Sequence, residues 1–223
     1  MGGSARPSRS ELLREVRDVV ADVPVFLTSP LYRHWHRHWG ATPEEIAAPL
    51  PGDDFLVHPA QRATRAITIA AAPEAVWPWL VQIGCGRAGF YSDDLLDNLG
   101  RPSVRTIVPD LQQLEVGQLV PMSPSDAHTD RTAFTVHSFT VDRSLLWAKS
   151  DSTWVWRLTP TGDATRLVTR ITAVYDWHRP FSALTGVALM EFGDFAMMRR
   201  MLRGIKERAE SVAGEATVPG LSS

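Results

Sequence analysis

The residue best placed to do chemistry is Glu191. It falls on a helical stripe otherwise built from Leu184, Val187, Phe195, Met198, Leu202, Ile205, Ala209 and Val212. A carboxyl on an apolar wall must pair with a cation or stay neutral through a raised pKa. In the second case it can act as general acid or base. A place at the stripe's edge, or an ion pair with Arg170, would give it a purely structural role. His137 is the second proton carrier to weigh, because it sits among the apolar residues of "TAFTVHSFTV" and an imidazole there could serve as a cavity base. In "GRAGFYSDD" a glycine-flanked loop presents Arg87, Phe90 and Tyr91. Arg87 could hold a carboxylate or enolate oxygen and Tyr91 could donate a hydrogen bond, as oxyanion stabilisers do; Tyr91 could equally plug the core. The catalytic candidates are therefore Glu191, His137, Tyr91 and Arg87.

Other chemistry finds less support. "LYRHWHRHWG", Leu31 to Gly40, concentrates His34, His36 and His38 beside Trp35 and Trp39. On a helix His34 and His38 share a face, but zinc needs a third ligand, and no HExxH or cysteine cluster accompanies them. Asp126, His128 and Asp130 alternate in a Pro/Ser loop, a pattern usually just solvated. The one cysteine, Cys85, forms no intrachain disulfide. Neither a GxSxG elbow nor a phosphate-cradling glycine motif occurs. No metal or cofactor is expected.

The aromatic supply is rich. Trp154 and Trp156 share one face of a strand and Val155 and Arg157 the other. With Phe90, Trp147, Tyr175 and Phe195 they could stack on a flat ligand, with Met198 as a pliable wall and Arg170 as a polar contact. A large aromatic core would use the same residues.

These side chains need elements to position them. Residues 1–9 read as a disordered N-terminus and 10–60 as a helical arm, with an apolar stripe from Leu12 to Val23, then a Gly40 break. "TPEE" then supplies Thr42 as N-cap, Pro43 at the first helical position and Glu45 to close a capping box. A strand follows over 63–71, with Ile67 and Ile69 on one side. Next comes a helix opening at Pro73 and Glu74, interrupted by Pro78, and then a helix capped by Ser92. From Gln118 onwards, β-like runs separated by turn signals predict an antiparallel meander; a long helix over about 182–212 ends the chain. The boundaries read as 61–213 for the domain and 214–223 for a flexible tail.

Charge is nearly balanced, which predicts no nucleic-acid partner. No window is apolar enough to span a membrane, and no secretory leader is read, so a cytoplasmic protein is expected. A homodimer is left open.

The order of elements predicts an α+β fold: a curved antiparallel sheet wrapped around a long C-terminal helix, the helix-grip arrangement, with an N-terminal helical arm. The stretches "ITIAAAPEAVWPWL" and "FAMMRRMLRGIKERAE" resemble the opening and closing elements of the SRPBCC superfamily, which includes START-like lipid carriers, pollen-allergen-type proteins and polyketide cyclases/dehydratases. The resemblance implies a hydrophobic, aromatic or polyketide-like small molecule held between sheet and terminal helix. A cyclase/dehydratase-type enzyme using acid/base residues there is the alternative, and a partner-binding helper with a vestigial cavity is the third reading.

Overall fold

The structure is a computed structural model that describes residues 32–92, 101–123, 129, 132–174 and 194–217. The expected helices over 10–23 and after Ser92, the first part of the long helix, and the residues Asp126, His128, Asp130, Tyr175 and Glu191 lie outside the described residues.

The described chain runs α1 (Arg33–Arg37), α2 (Pro43–Ala47), β1 (Gln61–Ile69), α3 (Pro73–Val81), a 3₁₀ turn (Pro109–Leu111), β2 (Leu119–Pro121), β3 (Ala133–Thr140), β4 (Ser144–Lys149), β5 (Ser152–Thr161), β6 (Ala164–Ala173) and α4 (Asp194–Thr217). Strands β2 to β6 form the meander read from the turn signals. β1 then pairs antiparallel with β6, giving the order β1-β6-β5-β4-β3-β2. A register shift between Val136 and Ser138 bulges β3, which bends the sheet. α4 runs along α3 and β1. This is the α+β helix-grip architecture. Among the described residues, no helix is long and apolar enough to cross a membrane.

The inner face of the sheet is covered by helices and part of the outer face by the arm. The face toward α3 and α4 carries Ile69, Trp147, Trp154, Trp156, Leu158, Leu167 and Ile171, packed with Met198, Met201, Leu202, Ile205 and Ala209 of α4. The apolar stripe of α4 stops at Ala209, since Val212 is exposed. The outer face carries Ala66, Leu146, Val155 and Val168, with Leu50 of the arm packed on them. Pro78 is accommodated within α3 without ending it.

The arm is fastened by side chains that β6 sends outward. Thr42 and Glu45 form the expected capping box at the start of α2. Arg166 then holds the Glu45 carboxylate (Nε to Oε1, 2.7 Å), and this hydrogen bond is the main reason the Glu45 pKa lies below its ordinary value. Arg170 donates to Thr64 Oγ1, to Asp53 Oδ2 and to the carbonyls of Glu45, Ile46 and Ala48. All five of its N–H groups are thereby engaged, three of them by the C-terminal carbonyls of α2. Burial lowers the Arg170 pKa and Asp53 opposes that shift.

Gly40 shows how closely the arm meets the sheet edge. Its φ is +73°, and an added Cβ would lie 2.1 Å from the Ala66 carbonyl oxygen. Only glycine permits the neighbouring Trp39 carbonyl to accept from the Ala66 N–H. The exposed edge of β1 is covered further by Lys206, which donates to the Thr68 carbonyl, and by Glu210, which accepts from the Ala70 N–H.

Candidate functional site

The register lays the inner face out in cross-strand rows. Ala63, Ile171, Trp154, Trp147 and Val136 form one row. Arg65, Thr169, Trp156, Leu145 and Phe139 form the next. Toward the β4–β5 turn lies a more polar row, Gln61, Ala173, Ser152 and Lys149.

Three tryptophans therefore meet on adjacent strands. Trp147 is edge-on to Trp154 (5.4 Å) and to Trp156 (5.9 Å), while Trp154 and Trp156 lie 4.9 Å apart at a shallow tilt. Phe134 stands edge-on to Trp154. The Trp154 indole N–H donates to Thr169 Oγ1. The Trp147 and Trp156 indole nitrogens are buried with no hydrogen-bond acceptor among the described residues. An unsatisfied buried donor costs about 1–3 kcal/mol; edge-to-face rings recover a fraction through N–H···π contact. Phe90 and Met198 belong to the same apolar cluster.

The loop after α3 is placed by strong local constraints. Tyr91 has φ +59°, an uncommon value for a non-glycine residue. Its backbone N–H donates to Ser103 Oγ and its hydroxyl to the Trp79 carbonyl. Arg208 lies over its ring at 4.5 Å. Burial pushes its phenol up to about 12, against the lowering pull of Gln82 and of the Arg208 and Arg87 cations. At neutral pH Tyr91 is thus a protonated donor already committed to a backbone carbonyl. Arg87 donates to the Val81 carbonyl at the end of α3, where a cation complements the helix dipole. Burial lowers its pKa.

Several expected site residues stand elsewhere. Arg170 is expected from the sequence as a ligand contact; in the structure Arg166 and Arg170, at even-numbered positions of β6, face the arm. His137 is expected as a base in the cavity. It is instead the residue at the β3 bulge, exposed, with its ring edge-on to Phe55 of the arm, so it stands apart from the tryptophan face. Phe195 is buried beneath α1 rather than among the tryptophans: it stacks on His36 with centroids 4.0 Å apart.

That stacking also locates the histidine cluster. His36 is buried against α4, and burial followed by the Arg65 charge lowers its pKa. His34 is exposed, and its ring meets His38 edge-on at 4.7 Å. Among the described residues, no three His, Cys, Asp or Glu side chains gather as a metal site.

One buried pair escapes a reading of the sequence. Arg65 donates to Asp194 Oδ2 at 2.6 Å and to the His36 carbonyl at 2.8 Å, joining β1, α1 and the first turn of α4. The signal is available in part, since Arg65 shares the strand side of Ile67 and Ile69. Its partner, 129 residues away, has no local signature.

No protein-family model matches the sequence. No curated protein matches it significantly. Solved structures similar to the chain include a Polyketide_cyc-like protein, Cgl2372 of Corynebacterium glutamicum, at 16% identity and TM-score 0.38, covering 71% of this chain and 97% of that one. CalU16 of Micromonospora echinospora is similar at 17% identity and TM-score 0.32, over 69% of this chain and 86% of its own. The KanY protein is similar at 16% identity and TM-score 0.39, over 67% and 97%.

Proposed function

We propose that the protein binds a hydrophobic, flat aromatic small molecule between the tryptophan-bearing face of the sheet and α4. The observation that carries this reading is that, of the three buried indole N–H groups without acceptors among the described residues, those of Trp147, Trp156 and Trp79, the first two lie together on the inner face of the sheet. A packed structural core normally satisfies such donors. An oxygenated ring laid against them would accept from both while its apolar surface packs on Trp154, Phe90 and Met198.

The placement of His137 and Tyr91 favours binding over turnover through either of these two residues. His137 is outside this face, and the Tyr91 hydroxyl donates to Trp79. The stretch from Thr42 to Asp53 is engaged by its own sheet through Arg166 and Arg170, which argues against that stretch as a free partner-binding segment.

Titration with a hydroxylated anthraquinone tests the reading. Saturable quenching of tryptophan emission at one equivalent is expected. The double substitution Trp147→Phe, Trp156→Phe should weaken binding by about tenfold, as the loss of one to two net hydrogen bonds implies. Quenching that never saturates, or affinity unchanged in the double variant, refutes it.

A further inference from the structure

One of the chain's two lysines lies on the inner face. On β4, Leu145 and Trp147 face α3 and α4, and Lys149 is next in that alternation. Its ammonium stands 5.6 Å from the centroid of Phe134, a ring that also packs on Trp154. It pairs with Asp151 in the β4–β5 turn, and Ser152 Oγ donates to the same carboxylate oxygen at 2.9 Å. The pair is asymmetric: the Lys149 side chain is 17% exposed and that of Asp151 is 48% exposed. The cation thus faces the aromatic surface while its counterion is half in water, where an exposed ion pair contributes little.

From this juxtaposition we propose that Lys149 makes the site selective for an aromatic anion, a ring system bearing a carboxylate, sulfonate or phenolate at the end nearest the β4–β5 turn. The inference rests on the aromatic-binding reading above and adds the charge of the ligand. With its rings on Trp154 and Phe134, such a ligand would set its anionic group on Nζ and share or displace Asp151. A charge-assisted contact at the edge of an apolar surface is stronger than the same contact in open water. A hydrocarbon of the same shape gains nothing from it, so Lys149 would act on selectivity rather than on apolar affinity.

Two fluorescent probes share one ring framework and differ in charge: anilinonaphthalene sulfonate and the neutral N-phenylnaphthylamine. Both are titrated into the full chain, with energy transfer from tryptophan reporting binding at the aromatic face. Lys149→Met is expected to lower sulfonate affinity about tenfold and leave the neutral probe unchanged. Lys149→Arg should retain selectivity, and Asp151→Asn, which removes the competing carboxylate, should strengthen sulfonate binding. The Asp151→Asn result carries the test if Lys149→Met does not fold. Parallel changes for both probes, or an unchanged affinity ratio, overturn the role of Lys149 alone and reduce its pair with Asp151 to a clip on the turn. If neither probe binds the wild-type chain with energy transfer, the aromatic-binding reading fails as well.

Discussion

Replacing Arg170 with methionine isolates the fastening of the arm. The guanidinium is almost wholly buried and makes five hydrogen bonds, two of them at 2.6 and 2.8 Å to Asp53 and Thr64. Methionine keeps much of the volume and removes every donor. The Asp53 carboxylate then loses its closest cation, and the carbonyls of Glu45, Ile46 and Ala48 lose theirs at the end of α2. Breaking a buried, hydrogen-bonded charge pair costs about 3–5 kcal/mol. Asp53 is partly exposed, so water recovers some of this and the lower half of the range is expected. For a domain of this size each kcal/mol shifts Tm by about 2–4 °C, which puts the expected fall at about 6–16 °C. In the Arg170→Lys variant a single ammonium nitrogen could serve Asp53 and one or two carbonyls, and it should recover about half the loss. Thermal melts by circular dichroism and urea unfolding by tryptophan fluorescence give the two measurements. Because Arg170 faces away from the tryptophans, affinity for N-phenylnaphthylamine below the melting range should not change. A Tm within about 1 °C of wild type, or a large loss of probe affinity in the folded variant, would contradict the assignment of Arg170 to the outer face as a clamp.

The Glu45–Arg166 pair predicts a pH dependence. The folded state keeps Glu45 ionised to lower pH than the unfolded chain does, so the unfolded chain takes up the proton first, and stability falls as pH drops from the ordinary glutamate value through the lower folded one. Urea midpoints measured from about pH 6 to about pH 3.5 should show a shallower fall in Glu45→Gln, which retains a capping-box acceptor. Gly204→Ala tests the close approach of α4 to the loop at Tyr91. The new Cβ would fall 2.2 Å from the Tyr91 carbonyl oxygen, and a loss of about 1–3 kcal/mol is expected despite alanine's better helix propensity. A neutral or stabilised variant in urea unfolding would show that the helix and loop can separate without cost.

The strands are legible in the sequence because their residues alternate and their turns carry glycine or polar clusters. The face to which each side chain belongs is less so. Part of the outer face is buried as well as the inner one, so alternation groups Trp154 with Trp156 and Val155 with Arg157 but does not say which group meets the helices. That is why the sequence alone leaves the side of Arg170 open. His137 shows a second limit: it sits at a bulge, where the alternation slips by one residue. The loop candidates Arg87 and Tyr91 stand out as unusual, and they are, but their hydrogen bonds go to the carbonyls of Val81 and Trp79. Sequence cannot anticipate those partners, since they depend on where a helix ends in space.

By itself the sequence determined what short-range sterics and hydrogen bonding control: the Thr42–Glu45 capping box, the glycine break at Gly40, the meander and the apolar stripe that closes the chain. Tertiary structure alone decided which distant groups meet: Arg65 with Asp194, the Arg170 guanidinium with the end of α2, Gly204 with Tyr91, and Lys149 with the ring of Phe134. The division follows from range. Backbone propensity acts over a few residues, whereas a buried charge or a close backbone approach is fixed only when segments far apart in the chain are brought to one place and water is excluded between them.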